Sequence, residues 1–129
     1  MVEKILVDTD ILIDAAQNDA NAIAFLNNAE SVSILAVSAV TKLELMVGCR
    51  NKTEFHATEK FLDRFELIKL DEDKTDIAID LIRRYRLSHG LLIPDALIAA
   101  TAISLGIGIA TRNQKDFRFI AGLNLLSYP

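Results

Sequence analysis

Asp8 stands at the end of the short apolar run 4–7, with a second acid, Asp10, two residues on. Glu44 interrupts the mostly apolar stretch Leu43-Glu44-Leu45. Asp95 follows Pro94 at the head of a segment rich in Ala and Ile, and Asp116 closes the polar run Thr111-Arg112-Asn113-Gln114-Lys115-Asp116. Carboxylates brought together repel one another, and a divalent cation relieves that repulsion. Hard oxygen ligands without thiolates suit Mg2+ or Mn2+ better than zinc. A cation held this way binds phosphate oxygens and activates water for in-line displacement. Asp8, Glu44 and Asp95 are therefore candidates to hold such a cation, with Asp10 as an alternative second ligand. Asp116 is a further catalytic candidate, and Thr111 and Asn113 are suited to orient water or a ligand.

Each acid also has a plainer reading. Asp8 or Asp10 serves as the N-cap of the next helix, and for Asp10 the cap is the stronger expectation. Glu44 is i+4 from Val40 and i−3 from Val47, beside the apolar stripe Val40, Leu43, Val47. It reads equally as a boundary glutamate with its head in solvent. Asp95 falls in a first helical turn, where the helix dipole favours negative charge. The 111–116 segment reads as a turn. What separates the two sets of readings is joint placement: the acids recur where elements turn toward one sheet edge, and open parallel sheets place ligands at the carboxyl ends of their strands.

The elements that must position these residues alternate. Strands are expected at 4–7, 32–36, 65–70 and 107–111, with a short fifth at 124–126. Helices are expected at 9–16, from a cap at Asp19 or Asn21 to 28, after a Ser38 cap, at 53–64, at 73–89 and from Pro94 to 105. Ile23, Phe25 and Leu26 are expected to give the second helix its apolar face. Gly90 and Gly106 are natural helix stops, and Pro is tolerated at a helix start. This order implies a three-layer α/β domain with a mainly parallel sheet of four to five strands.

The chain has 129 residues, 51% of them hydrophobic, enough for one domain with a real core. Its net charge of −4 argues against a surface coated in positive charge for non-specific nucleic-acid binding. Cys49 is the only cysteine, so no intrachain disulfide and no multi-thiolate zinc site forms, and a buried thiol is expected. The first residues lack a signal-peptide layout and no apolar run is long enough to span a bilayer. A cytoplasmic protein without membrane association is expected.

Four segments together resemble the PIN-domain ribonucleases, and most closely the VapC toxins of prokaryotic toxin–antitoxin pairs. They are Leu6-Val7-Asp8-Thr9-Asp10-Ile11-Leu12-Ile13-Asp14, Thr41-Lys42-Leu43-Glu44-Leu45 with Gly48, Pro94-Asp95-Ala96-Leu97-Ile98-Ala99-Ala100-Thr101-Ala102, and Ala110-Thr111-Arg112-Asn113-Gln114-Lys115-Asp116-Phe117. The resemblance extends over essentially the whole chain. It implies a Mg2+- or Mn2+-dependent endoribonuclease with Asp8, Glu44 and Asp95 as its acidic core. It also implies a homodimer and a small antitoxin that inserts into the active-site groove. The family often has Asp where this chain has Asn113, which leaves one metal or two as alternatives, with Asp116 available to compensate. On this reading Thr9 or Thr111 positions the attacking water. Arg112, Lys115 and Arg118 meet RNA, in preference to Arg83, Arg84 and Arg86, where Asp80 and Arg84 form an i,i+4 pair on a solvated face. His56 and His89 are expected at the surface. The apolar stretch 61–65 is a candidate dimer face.

Two other functions remain open at this point. A PIN-like module without catalysis would bind without cutting. An aspartate-nucleophile phosphatase also uses Asp-x-Asp at a strand end, but Leu12 stands where that motif wants Thr or Val, and no later paired-Asp strand end follows.

Overall fold

Leu6 and Val7 are both fully buried, yet they belong to different cores. Successive side chains of a strand point to opposite faces, so the strand carrying them is covered on both sides. That strand is β1 (Glu3–Val7), and the computed structural model describes residues 2–129 around it. There follow α1 (Thr9–Ala16), α2 (Ala20–Val32), β2 (Ser33–Ser38), α3 (Ala39–Val47), α4 (Lys52–Leu62), β3 (Glu66–Ile68), α5 (Glu72–His89), α6 (Ile93–Leu105) and β4 (Gly108–Ala110). A short 3-10 turn at Gln114–Asp116 follows β4.

The four strands are parallel, in the order β3-β2-β1-β4. On one face Leu6, Ala36 and Ile109 pack with Leu81, Ile98 and Phe117; on the other Val7, Val37 and Ala110 pack with Ile11, Leu26 and Phe65. This is the expected three-layer α/β architecture. The proposed fifth strand is a single parallel bridge, Ile109 to Leu125. The topology matters for function. The chain runs outward from β1 to β2 and β3, then crosses to place β4 on the other side of β1. The order reverses there, and open parallel sheets bind ligands at such a point, beyond the carboxyl ends of the strands, here β1 and β4.

Local signals set most boundaries. Asp19 caps α2, Ser38 caps α3, Asn51 caps α4 and Asp71 caps α5, each through a side-chain oxygen that accepts a backbone N–H. Gly90 and Gly106 end α5 and α6 in the left-handed conformation, with φ of 70° and 65°. Pro94 sits in the first turn of α6, where its missing N–H had no partner.

Several expected burials differ from the structure. Leu43 and Val47 are 59% and 86% exposed, so the predicted stripe of α3 is not its buried face. Val40 and the fully buried Thr41 are the buried residues of that helix. In α2 the expected face holds for Leu26, for Phe25, which packs against the core, and for the flanking Ala22 and Ala29, while Ile23 is exposed. The stretch 61–65 does not form a surface patch: Leu62 and Phe65 are buried, and Phe61 packs edge-on against Phe65. Cys49 is partly rather than fully buried, its thiol beside the Leu45 carbonyl and the Thr58 hydroxyl.

Candidate active site

Val7 and Ala110 are register partners at the ends of β1 and β4, so the residues after them, Asp8 and Thr111, emerge side by side. The Asp8 N–H donates to the Ala110 carbonyl at 2.9 Å and ties the two strand ends together. Asp8 takes the capping role expected of it and has a second partner in Thr111. One oxygen accepts the Thr9 N–H at 2.8 Å as the N-cap of α1, and the other accepts the Thr111 hydroxyl at 2.8 Å. Asp10 is not a helix cap. Its carboxylate accepts the Asn113 N–H at 3.0 Å and the Arg112 N–H at 3.4 Å, which pins the segment after β4 onto α1.

Glu44 enters from α3. Its residue surface is exposed, but one carboxylate oxygen accepts the Thr9 hydroxyl at 2.7 Å. The Thr9 and Thr41 hydroxyl oxygens lie 3.0 Å apart, and Thr41 is fully buried. Thr41 was not a predicted site residue. Its signal was present: it precedes Glu44 by three residues, on the same helical face. Asp95 is half-buried in the first turn of α6.

The electrostatics bind these positions into one site. Asp8 is pushed up to about 7, first by burial, then by the charge of Asp10 and more weakly that of Asp95. Hydrogen bonds from Thr111 and Thr9 oppose the rise. Asp95 is pushed up to about 6 by burial and by the charges of Asp116, Glu44 and Asp10. Carboxylates from α1, α3, α6 and the 3-10 turn are therefore close enough to feel one another. The charges that act most strongly on Asp8 and Asp95 are other acids, not lysines or arginines.

The remaining predicted residues divide. Asp116 lies close enough to Asp95 to be the strongest charge acting on it. Asn113 engages the site through its backbone N–H, so its lack of charge removes nothing from that contact. Arg112 turns its guanidinium onto both oxygens of Asp14, at 2.7 and 2.8 Å, which leaves it less available to a substrate than expected. Lys115 and Arg118 are exposed, and among the described residues neither forms an ion pair. Asp80 pairs with Arg84 as expected, and also with Arg83, at 3.5 and 3.6 Å. His56 and His89 are both exposed.

Among the described residues, no three acids as placed already stand around one point as metal ligands. The donor chemistry nonetheless suits a hard divalent cation. It offers carboxylates and hydroxyls only, and one of those carboxylates is 6% exposed with a repelling neighbour.

The sequence profile of the PIN domain family matches residues 5–123. The chain belongs to the PIN-domain family. All four motif segments of this PIN domain lie inside the matched span. It is 36% identical over 117 residues to ribonuclease VapC19 of Mycobacterium tuberculosis, covering 87% of this chain and 90% of that one. A toxin–antitoxin complex from Klebsiella pneumoniae contains a chain that superimposes with a TM-score of 0.79 at 32% identity, covering 95% of this chain and 96% of that one. VapBC2 from Rickettsia felis, bound to a DNA fragment from its promoter, contains another with a TM-score of 0.82 at 26% identity, covering 98% and 99%.

Proposed function

We propose that this PIN domain is an endoribonuclease, the toxin of a toxin–antitoxin pair, and that Asp8, Glu44 and Asp95 hold a Mg2+ or Mn2+ ion. The observation that carries the reading is Asp8: a buried carboxylate at the switch point of the sheet, close to further acids and, among the described residues, without an ion pair. Relatives named as ribonucleases and neighbours solved as toxin–antitoxin complexes support the same activity and the same kind of partner.

The cation, when bound, neutralises charge on a phosphate and makes a bound water more acidic. The protein's own residues do the positioning. Thr111 fixes one oxygen of Asp8, and Thr9 fixes the carboxylate of Glu44. Asp10 holds the 112–113 backbone in place, which sets where Asp116 stands relative to Asp95. Lys115 and Arg118 supply positive charge for the RNA backbone just outside the acids. A small antitoxin occupies the same groove and a second copy completes a homodimer, in the cytoplasm. No helix among the described residues is long and apolar enough to cross a membrane.

The decisive test is cleavage of a defined single-stranded RNA by nuclease-free preparations with Mg2+, Mn2+ or EDTA. Endonucleolytic cuts are expected with either cation and none with EDTA. RNA that is bound but left intact at saturating cation would replace the nuclease with a binding module. Light scattering on the isolated protein is expected to return twice the chain mass of 14.3 kDa; a monomer at micromolar concentration would remove the homodimer.

A further inference from the structure

His89 is exposed, as expected of a surface histidine, yet its ring has defined neighbours. It is the last residue of α5, and the left-handed Gly90 turns the chain sharply away after it. Its ring lies flat on Phe119, with centroids 4.2 Å apart and planes 8° from parallel. Phe119 is held in turn: Tyr85 meets it edge-on at 5.3 Å, and the Tyr85 hydroxyl accepts the Ala121 N–H at 3.1 Å. The result is a rigid two-ring stack whose outer member, His89, is exposed.

The stack adjoins the acids. A small pocket of about 110 Å³ is lined by His89 and Phe119 together with Lys115, Asp95 and Asp116. The lining offers two carboxylates, Lys115 and the edge of the two-ring stack, and the phosphate itself belongs with the cation-holding acids next door. An uncharged planar ring in the pocket would extend the existing stack. Single-stranded RNA is recognised largely by stacking its unpaired bases on aromatic side chains, histidine included.

We infer that His89, backed by Phe119, is the stacking platform for an unpaired RNA base next to the scissile phosphate, with Lys115 meeting the adjoining backbone. This rests on the ribonuclease reading and makes His89 a positioning residue for the substrate. Pre-ordering of the pair by Tyr85 lowers the entropy lost when the base docks.

The test uses the full chain and a short RNA with a single abasic position moved stepwise along it. Removing one stacked base typically weakens binding roughly 5- to 100-fold. His89→Ala is expected to raise KM within that range with kcat little changed, and His89→Phe to restore it. In wild type one abasic position should reproduce the loss, and in His89→Ala that position should have no further effect. RNA carrying 2-aminopurine there should be quenched on binding to Asp8→Asn, and not when His89→Ala is added. Equal KM for wild type and His89→Ala, or His89→Phe behaving like His89→Ala, would overturn the platform. Failure of the wild type to cut any RNA would instead strike the nuclease reading, and the 2-aminopurine signal would still judge the stack.

Discussion

Asp8→Asn is expected to lower metal-dependent RNA cleavage by about 100-fold or more while making the chelated protein more stable. The first half follows from charge. A cation's stabilisation of a phosphate transition state is worth several kcal/mol, and each ~1.4 kcal/mol is tenfold in rate. An amide at position 8 is a far poorer anchor for that cation. The second half follows from geometry. Asn caps a helix as well as Asp does, so its oxygen still accepts the Thr9 N–H. The Thr111 hydroxyl, which now donates to Asp8, has Asp10 as an alternative acceptor at 3.3 Å. The variant therefore keeps its local hydrogen bonds and loses a buried, repelled charge. At pH 8 in EDTA a melting temperature several degrees above wild type is expected. Saturating Mn2+ should raise the wild type and leave the variant unmoved, since a ligand stabilises only a state that binds it. Cleavage within a factor of three of wild type, or a destabilised variant, would each remove Asp8 from the metal site.

The opposed effects on stability and activity explain why the site was only partly legible in the sequence. Caps and stops are local signals: Ser38, Gly90, Pro94 and Gly106 mark their helices in the sequence, and of the two candidates for α2, Asp19 rather than Asn21 is the cap. Asp8 was legible for another reason: a strand end facing a switch point is a place that topology makes functional, and the four motif segments reinforced it. The buried face of α3 was not legible, because it is built on Thr41, a polar residue whose hydroxyl finds its partner 32 positions away in Thr9. The apolar Leu43 and Val47 took its place in the periodicity while lying on the exposed side. The cap expected of Asp10 fails because its backbone partners are more than 100 residues distant. Likewise, nothing in the chain around Arg112 showed that Asp14 would hold it. Periodicity reports which residues can be buried; it does not report polar partnerships made between segments.

Those partnerships also set how stability should respond to pH. Asp8 and Asp95 have folded pKa values of about 7 and about 6 against an ordinary 3.8. Between those limits the folded state binds more protons than the unfolded one, so stability falls as pH rises. Their contribution is fully present below about pH 4 and lost by about pH 7. Asp8 is buried and carries most of it, on the order of 2–4 kcal/mol; Asp95 is more exposed and adds less. Glu54 and Asp71, whose pKa values are lowered by Arg50 and Lys74, act in the opposite sense and only in the more acid range. In EDTA the melting temperature is therefore expected to decline from about pH 5 to pH 8, and Asp8→Asn should flatten most of the decline. Saturating Mn2+ should reverse the slope in wild type, because a cation must displace the protons from its ligands and binds more tightly as they leave. Calorimetry across that range, with and without Mn2+, reads both slopes. A wild-type melting temperature that is flat in EDTA would mean that Asp8 titrates as an ordinary carboxylate, and burial among acids would then no longer mark the site.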